Sequence, residues 1–182
     1  RGSARREELA DTPDSGSAPN SEPAPSEALD SFDANAPMVR KTKPYRGAIE
    51  HLFFHPLVIR PELAFDGDRY SKRFDAYFIT ANEFRAVVRS LYAHNYVLVG
   101  LDRVKQPLYL PEGKKPVVIS VDDVNYYPYM AENGTASRLV LDSRDEVKAL
   151  LESDGGNNFS DDEVIPILDS FVREHPDFSD HG

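Results

Sequence analysis

The chain has no cysteine. That absence excludes thiolate metal sites, cysteine nucleophiles and any disulfide scaffold, and it leaves the compartment open. The sequence also lacks any apolar run approaching the ~18–20 residues needed to span a bilayer. It shows no basic start followed by an apolar stretch, so it carries no visible signal peptide. Positive charge is in short supply: 21 Lys and Arg stand against 31 Asp and Glu, a formal charge of −10. A general nucleic-acid binder needs a basic face to displace counterions from phosphates, and nucleic acid is therefore excluded as the expected partner.

Large apolar side chains are scarce at the front. Residues 1–45 hold six of the fourteen prolines and many Ser and Ala, with hardly any large apolar side chains, among them Leu9, Leu29, Phe32, Met38 and Val39. Such a set cannot repay the entropy of ordering so long a segment. Residues 1–45 are expected to be a disordered, mostly acidic linker, ending in a basic cluster (Arg40, Lys41, Lys43, Arg46). Because the chain begins at Arg1, this linker is expected to be a tether leading to a membrane anchor upstream.

Ordered sequence is expected from Ile49 onward. Residues 49–59 are nearly all apolar and predict a buried strand running into a loop at Pro56. The stretch 60–79 reads as irregular, with a turn at Asp66-Gly67-Asp68. Thr80-Ala81-Asn82-Glu83 is a capping box, and Phe84, Val87, Val88, Leu91 and Tyr92 follow at helical spacing. Asn95 suits a left-handed helix stop. Strands are predicted at 96–99 and 116–121, and a helix between near-continuous apolar strands indicates an α/β fold. Leu139–Leu141 suits a strand, whereas 145–152 fits either a strand or a helix. Gly155–Asn158 reads as a turn. Ser160–Glu163 reads as a second capping box before an apolar stripe of Val164, Ile165, Leu168, Phe171 and Val172. Pro166 lies inside that stripe, so the helix is kinked or begins late.

The chemistry-bearing feature is Asp122-Asp123, which follows directly on the strand at 116–121. In α/β folds catalytic groups gather at the carboxyl ends of strands. One carboxylate of such a pair can hold a metal while its neighbour takes a proton from the metal-bound water. The pair can also simply cap a loop or helix start. His55, at the end of its strand, either faces the mouth of a site or is a structural histidine. Tyr126 is a candidate for contact with a sugar ring, with Tyr127 and Tyr129 as further ones, since flat aromatic faces suit pyranoses; each is equally at home half-buried.

Three segments resemble, in order, the polysaccharide deacetylases with a NodB-type catalytic domain. They are His51–Val58, the capped helix and strand from Thr80 to Gly100, and Leu110–Asp123, where Leu-Pro-Glu-Gly-Lys-Lys-Pro-Val-Val-Ile-Ser-Val-Asp-Asp is similar to the family's Leu-Pro-x-Lys-Pro-Val-x-Leu-Thr-Phe-Asp-Asp-Gly block. The resemblance implies an α/β fold, here the partial form of a deformed (β/α) barrel occupying 46–182. It implies hydrolysis of N-acetyl or O-acetyl groups on a bacterial cell-surface polysaccharide or peptidoglycan, outside the cell. It makes Asp122 the catalytic base and Asp123 a ligand of a divalent metal, expected to be zinc. Val121 stands where the family has Phe, and Val124 where it has Gly, which admits a turn that Val resists. The family completes its metal site with His-x-x-x-His further downstream. His175 and His181 lack that spacing and are expected to be ordinary loop residues. The chain is thus expected to be the N-terminal part of the catalytic domain, inactive by itself. A rival expectation is a non-catalytic module that binds glycans or a partner protein on the same scaffold.

Overall fold

The computed structural model describes residues 42–153 and 155–180. The expected linker, apart from residues 42–45, lies outside the described residues, as do Arg40, Lys41 and His181. The elements, in chain order, are β1 (Thr42–Pro44), β2 (Glu50–Phe54), α1 (Pro61–Ala64), α2 (Ser71–Tyr77), α3 (Ala81–Ala93), β3 (Tyr96–Leu98), β4 (Tyr109–Pro111), β5 (Lys115–Val121), α4 (Pro128–Glu132), β6 (Arg138–Leu141), β7 (Val147–Ser153), β8 (Gly156–Ser160) and α5 (Val164–Glu174). The architecture is mixed α/β, and among the described residues its small sheets do not close into a barrel. No helix among those residues is long and apolar enough to cross a membrane.

The sheet that matters for the site is parallel, in the order β2-β5-β3. Parallel strands need cover on both faces, and β5 has it. Ile119 and Val121 pack with Phe54 and Leu98 against Phe84 and Val88 of α3, Val164 and Ile167 of α5, and Phe178. On the opposite face Val118 packs with Val97, Val99, Leu108 and Leu110. This second cover comes partly from the antiparallel β1–β4 pair. Thr42–Pro44, which the sequence reading assigns to the linker, is thus a strand, and Lys43 pairs with Glu112 at 2.7 Å. A three-residue strand among Pro and Lys carries no apolar signal of its own; its partner supplies the order.

β2 differs from expectation as well. Its apolar run predicts burial on both faces, yet β2 lies at the edge of the sheet and Phe53 is 65% exposed.

α3 forms as its sequence predicts. The Thr80 side chain accepts the Glu83 amide at 3.2 Å, and Glu83 Oε2 accepts the Thr80 amide at 2.8 Å. Asn95, at φ 63°, ends the turn in the left-handed region. α5 begins only at Val164, so the expected second capping box is not one. Glu163 is the N-cap, and its own carboxylate accepts the Val164 amide. The late start places Pro166 in the first turn, where an amide has no helical partner to lose. It also turns Ile165 outward, 38% exposed, while Pro166 and Ile167 are buried.

Of residues 145–152, those from Val147 onward resolve as strand, while Asp145 and Glu146 belong to the turn before it: β7 is the centre of an antiparallel sheet in the order β6-β7-β8. The turn expected over 155–158 is shorter, because Gly156–Asn158 already pair within β8. The stretch 60–79 is not irregular. Asp68 Oδ1 accepts the amides of Tyr70 and Ser71 at 2.7 and 3.0 Å, satisfying free donors at the start of α2. Phe74 and Phe78 then stack with centroids 4.4 Å apart, in a core shared with Val58, Ala64 and Met130.

Candidate functional site

The parallel pairing of β2 with β5 sets the site. Their register brings Phe54 opposite Val121, so the residues that follow, His55 and Asp122-Asp123, leave neighbouring strands at the same carboxyl edge. The Asp122 amide donates to the Phe54 carbonyl at 2.8 Å, extending the ladder by one bond before the chains part. His55 Nε2 and Asp123 Oδ2 are 4.0 Å apart, with the two side chains 21% and 42% exposed. The imidazole is held from behind by the ring of Phe78, at 5.1 Å between centroids.

The Asp122-Asp123 turn is built on left-handed backbone. Asp123 has φ 55° and Tyr126 has φ 48°, whereas Val124 is not among the residues with positive φ. The position where the family has Gly therefore does not need a glycine conformation here; the demand falls on Asp123, and Asp tolerates it better than most residues. Asp122 Oδ1 accepts the Asp123 amide at 2.9 Å, which braces the turn and leaves the other carboxylate oxygen free of that bond.

His55 and Asp123 line a cleft of about 470 Å³ with Arg73, Tyr77, Phe78 and Tyr129. Arg73 and Tyr77 stand one helical turn apart on α2, a helix whose single buried residue, Phe74, gives the sequence no helical stripe that would point to them. Tyr129 belongs to a row of rings: it stacks on Tyr70 at 5.8 Å and on Tyr127 at 6.0 Å. Tyr126 is not in this cleft. It is 8% exposed and packs with Ala136, Ala149, Ile59 and Leu139. Burial, assisted by the nearby Glu163 carboxylate, raises its hydroxyl pKa far above the ordinary tyrosine value.

Glu163, 1% exposed, is the other residue the sequence did not single out as part of the site's framework. Both carboxylate oxygens accept the Leu57 amide, at 3.2 and 3.1 Å, and Oε1 also accepts the Val164 amide at 2.8 Å. Burial pushes its pKa up to about 7 against the lowering effect of those amides. Its only sequence signal was an acidic residue just before a helical stripe, which reads as an ordinary cap. His175 lies elsewhere, between the rings of Tyr92 and Phe171 at the end of α5.

A tight zinc site uses about three protein ligands. Among the described residues no group of three or more His, Cys, Asp or Glu side chains is arranged to hold a metal. Asp123 and His55 offer two donors side by side, so the described residues do not by themselves fit a closed metal site. Compared with known proteins, the chain matches no protein-family model, no curated protein and no solved structure.

Proposed function

We propose that the chain is part of a hydrolase domain that removes acetyl groups from a bacterial surface polysaccharide or peptidoglycan, on the scaffold of a deformed (β/α) barrel of the NodB type. One observation carries this reading: His55, Asp122 and Asp123 converge at the carboxyl ends of two adjacent parallel strands. Asp122 is the general base. Its exposed carboxylate, with one oxygen committed to the Asp123 amide, has the other available to take a proton from water attacking the acetyl carbonyl. Asp123, with His55 beside it, is the donor toward a divalent cation, zinc in this reading, whose remaining donors lie outside the described residues. Tyr127, 41% exposed at the end of the stacked aromatic row formed with Tyr129 and Tyr70, offers a ring face to sugars beside the cleft. The place of action in this reading is the cell surface.

That aromatic row also favours a second reading, a glycan-binding module without turnover, since it stands whether or not a cation completes the site.

Zinc titration by calorimetry, with acetate release from an acetylated chitooligosaccharide measured in parallel, tests the first reading. Asp123→Asn should weaken zinc binding by about tenfold or more. The 182-residue chain should release no acetate, and turnover by it would refute the count of two donors. Zinc affinity untouched by Asp123→Asn removes the metal role and leaves the binding module.

A further inference from the structure

The cleft holds a cation that neither the metal nor the general base calls for. Arg73 lines it together with His55, Asp123 and Tyr77. Its guanidinium takes part in no ion pair or side-chain hydrogen bond among the described residues, although the chain carries ten more acidic than basic charges. Its neighbours are otherwise engaged. Arg69 donates to the Tyr70 hydroxyl at 2.7 Å and lies over that ring at 4.5 Å. Asp68 is occupied by the amides that open α2, and Asp66 by the Asp68 amide. Arg73 therefore presents an uncommitted fork of donors to whatever enters the cleft. A guanidinium fork matches the paired oxygens of a carboxylate or phosphate. Tyr77, four residues on along α2, shares its helix face and is 65% exposed, offering a ring surface beside the charge.

We propose that Arg73 is a specificity-determining residue that selects glycans bearing a carboxylate or phosphate next to the sugar lying against Tyr77. The inference rests on the glycan reading above and narrows its substrate class to anionic polymers. The physical reason is electrostatic. Asp122 and Asp123 disfavour an anionic chain at the cleft, and a positive charge across it offsets that repulsion where the substituent lies. A neutral polymer draws no such benefit, so the effect appears as a ratio of affinities.

The test is calorimetric binding of the 182-residue chain to three oligosaccharides of equal length: neutral N-acetylglucosamine, a carboxylated analogue and a phosphorylated analogue. At least one anionic ligand should bind about tenfold tighter than the neutral one, and the arm showing the advantage identifies the substituent. Arg73→Ala should bring that ratio to one or below, since the repulsion by Asp122 and Asp123 then stands uncompensated, and Arg73→Lys should keep part of the advantage, as a point charge without the fork. A merely structural role for Arg73 would weaken all three ligands alike and preserve the ratio, which would overturn the inference. Equal binding of all three by the unmodified chain overturns it too, while leaving the glycan reading intact. Binding of none overturns both.

Discussion

Glu163 reaches across from the start of α5 to the loop that follows β2, where both of its carboxylate oxygens accept the Leu57 amide. That loop begins with His55, so the last helix and the candidate site share one buried carboxyl group. The bond joins residues 106 positions apart in the chain.

The raised pKa of Glu163 makes this joint sensitive to pH. A carboxyl that is harder to ionise in the folded chain than in the unfolded one binds more protons when folded. Its contribution is fully present below the ordinary value of 4.5 and is lost as pH rises through about 7. The loss is on the order of 3 kcal/mol. Glu163→Gln has no such titration. Urea unfolding at pH 4.5 and 8 should therefore show a fall in stability for the unmodified chain that is smaller in the variant. Equal pH dependence in the two proteins would show that Glu163 ionises as easily folded as unfolded.

The capping box of α3 has the opposite pH sign. The Thr80 amide and hydroxyl lower the Glu83 pKa, so its contribution is present above the ordinary carboxylate range and fades as pH falls through the lowered value. Thr80→Ala removes the hydroxyl that accepts the Glu83 amide and should cost about 1 kcal/mol in urea unfolding at pH 7. A change within ~0.5 kcal/mol, ordinary for a surface substitution, would mean that the cap does not limit stability.

These two caps show what the sequence makes legible. Thr80 and Glu83 satisfy each other within one turn, so spacing alone identifies them. Glu163 is fixed by Leu57, and no local pattern discloses a partner so far away. The same contrast holds for the sheets. β3 and β5 announce themselves by β-branched runs, whereas β1 exists only because β4 pairs with it. α2 has no apolar stripe to announce it: Phe74 is its one buried residue, set among Lys72, Arg73 and Asp75, and Phe78 follows it as the C-cap. In the candidate site, Asp122, Asp123 and His55 were visible as types at strand ends. Their convergence depends on β2 and β5 being parallel neighbours, and the cleft wall formed by Arg73 and Tyr77 depends on the unrecognised helix.

Gly134 fixes the same loop from its other side. Its carbonyl accepts the amides of Ile59 and Arg60 at 2.8 and 3.0 Å, and its φ is 91°. A methyl group here would collide with the Arg60 carbonyl oxygen and would sit on left-handed backbone. Gly134→Ala should thus cost more than about 2 kcal/mol. Thermal unfolding reads this directly, and a variant as stable as the parent would mean that the loop relaxes freely around position 134.

Asp123 carries two demands at once, a carboxylate facing His55 and a backbone at φ 55°. Two substitutions separate them. Asparagine keeps the tolerance of left-handed geometry and loses the charge, so Asp123→Asn should unfold within ~0.5 kcal/mol of the parent. Alanine loses both and should cost about 1–2 kcal/mol more than asparagine. If the carboxylate is a metal donor, both variants should weaken zinc binding to a similar degree despite their unequal stabilities. Zinc affinity that instead tracked stability, falling for alanine and holding for asparagine, would place the role of Asp123 in the shape of the turn and not in its charge.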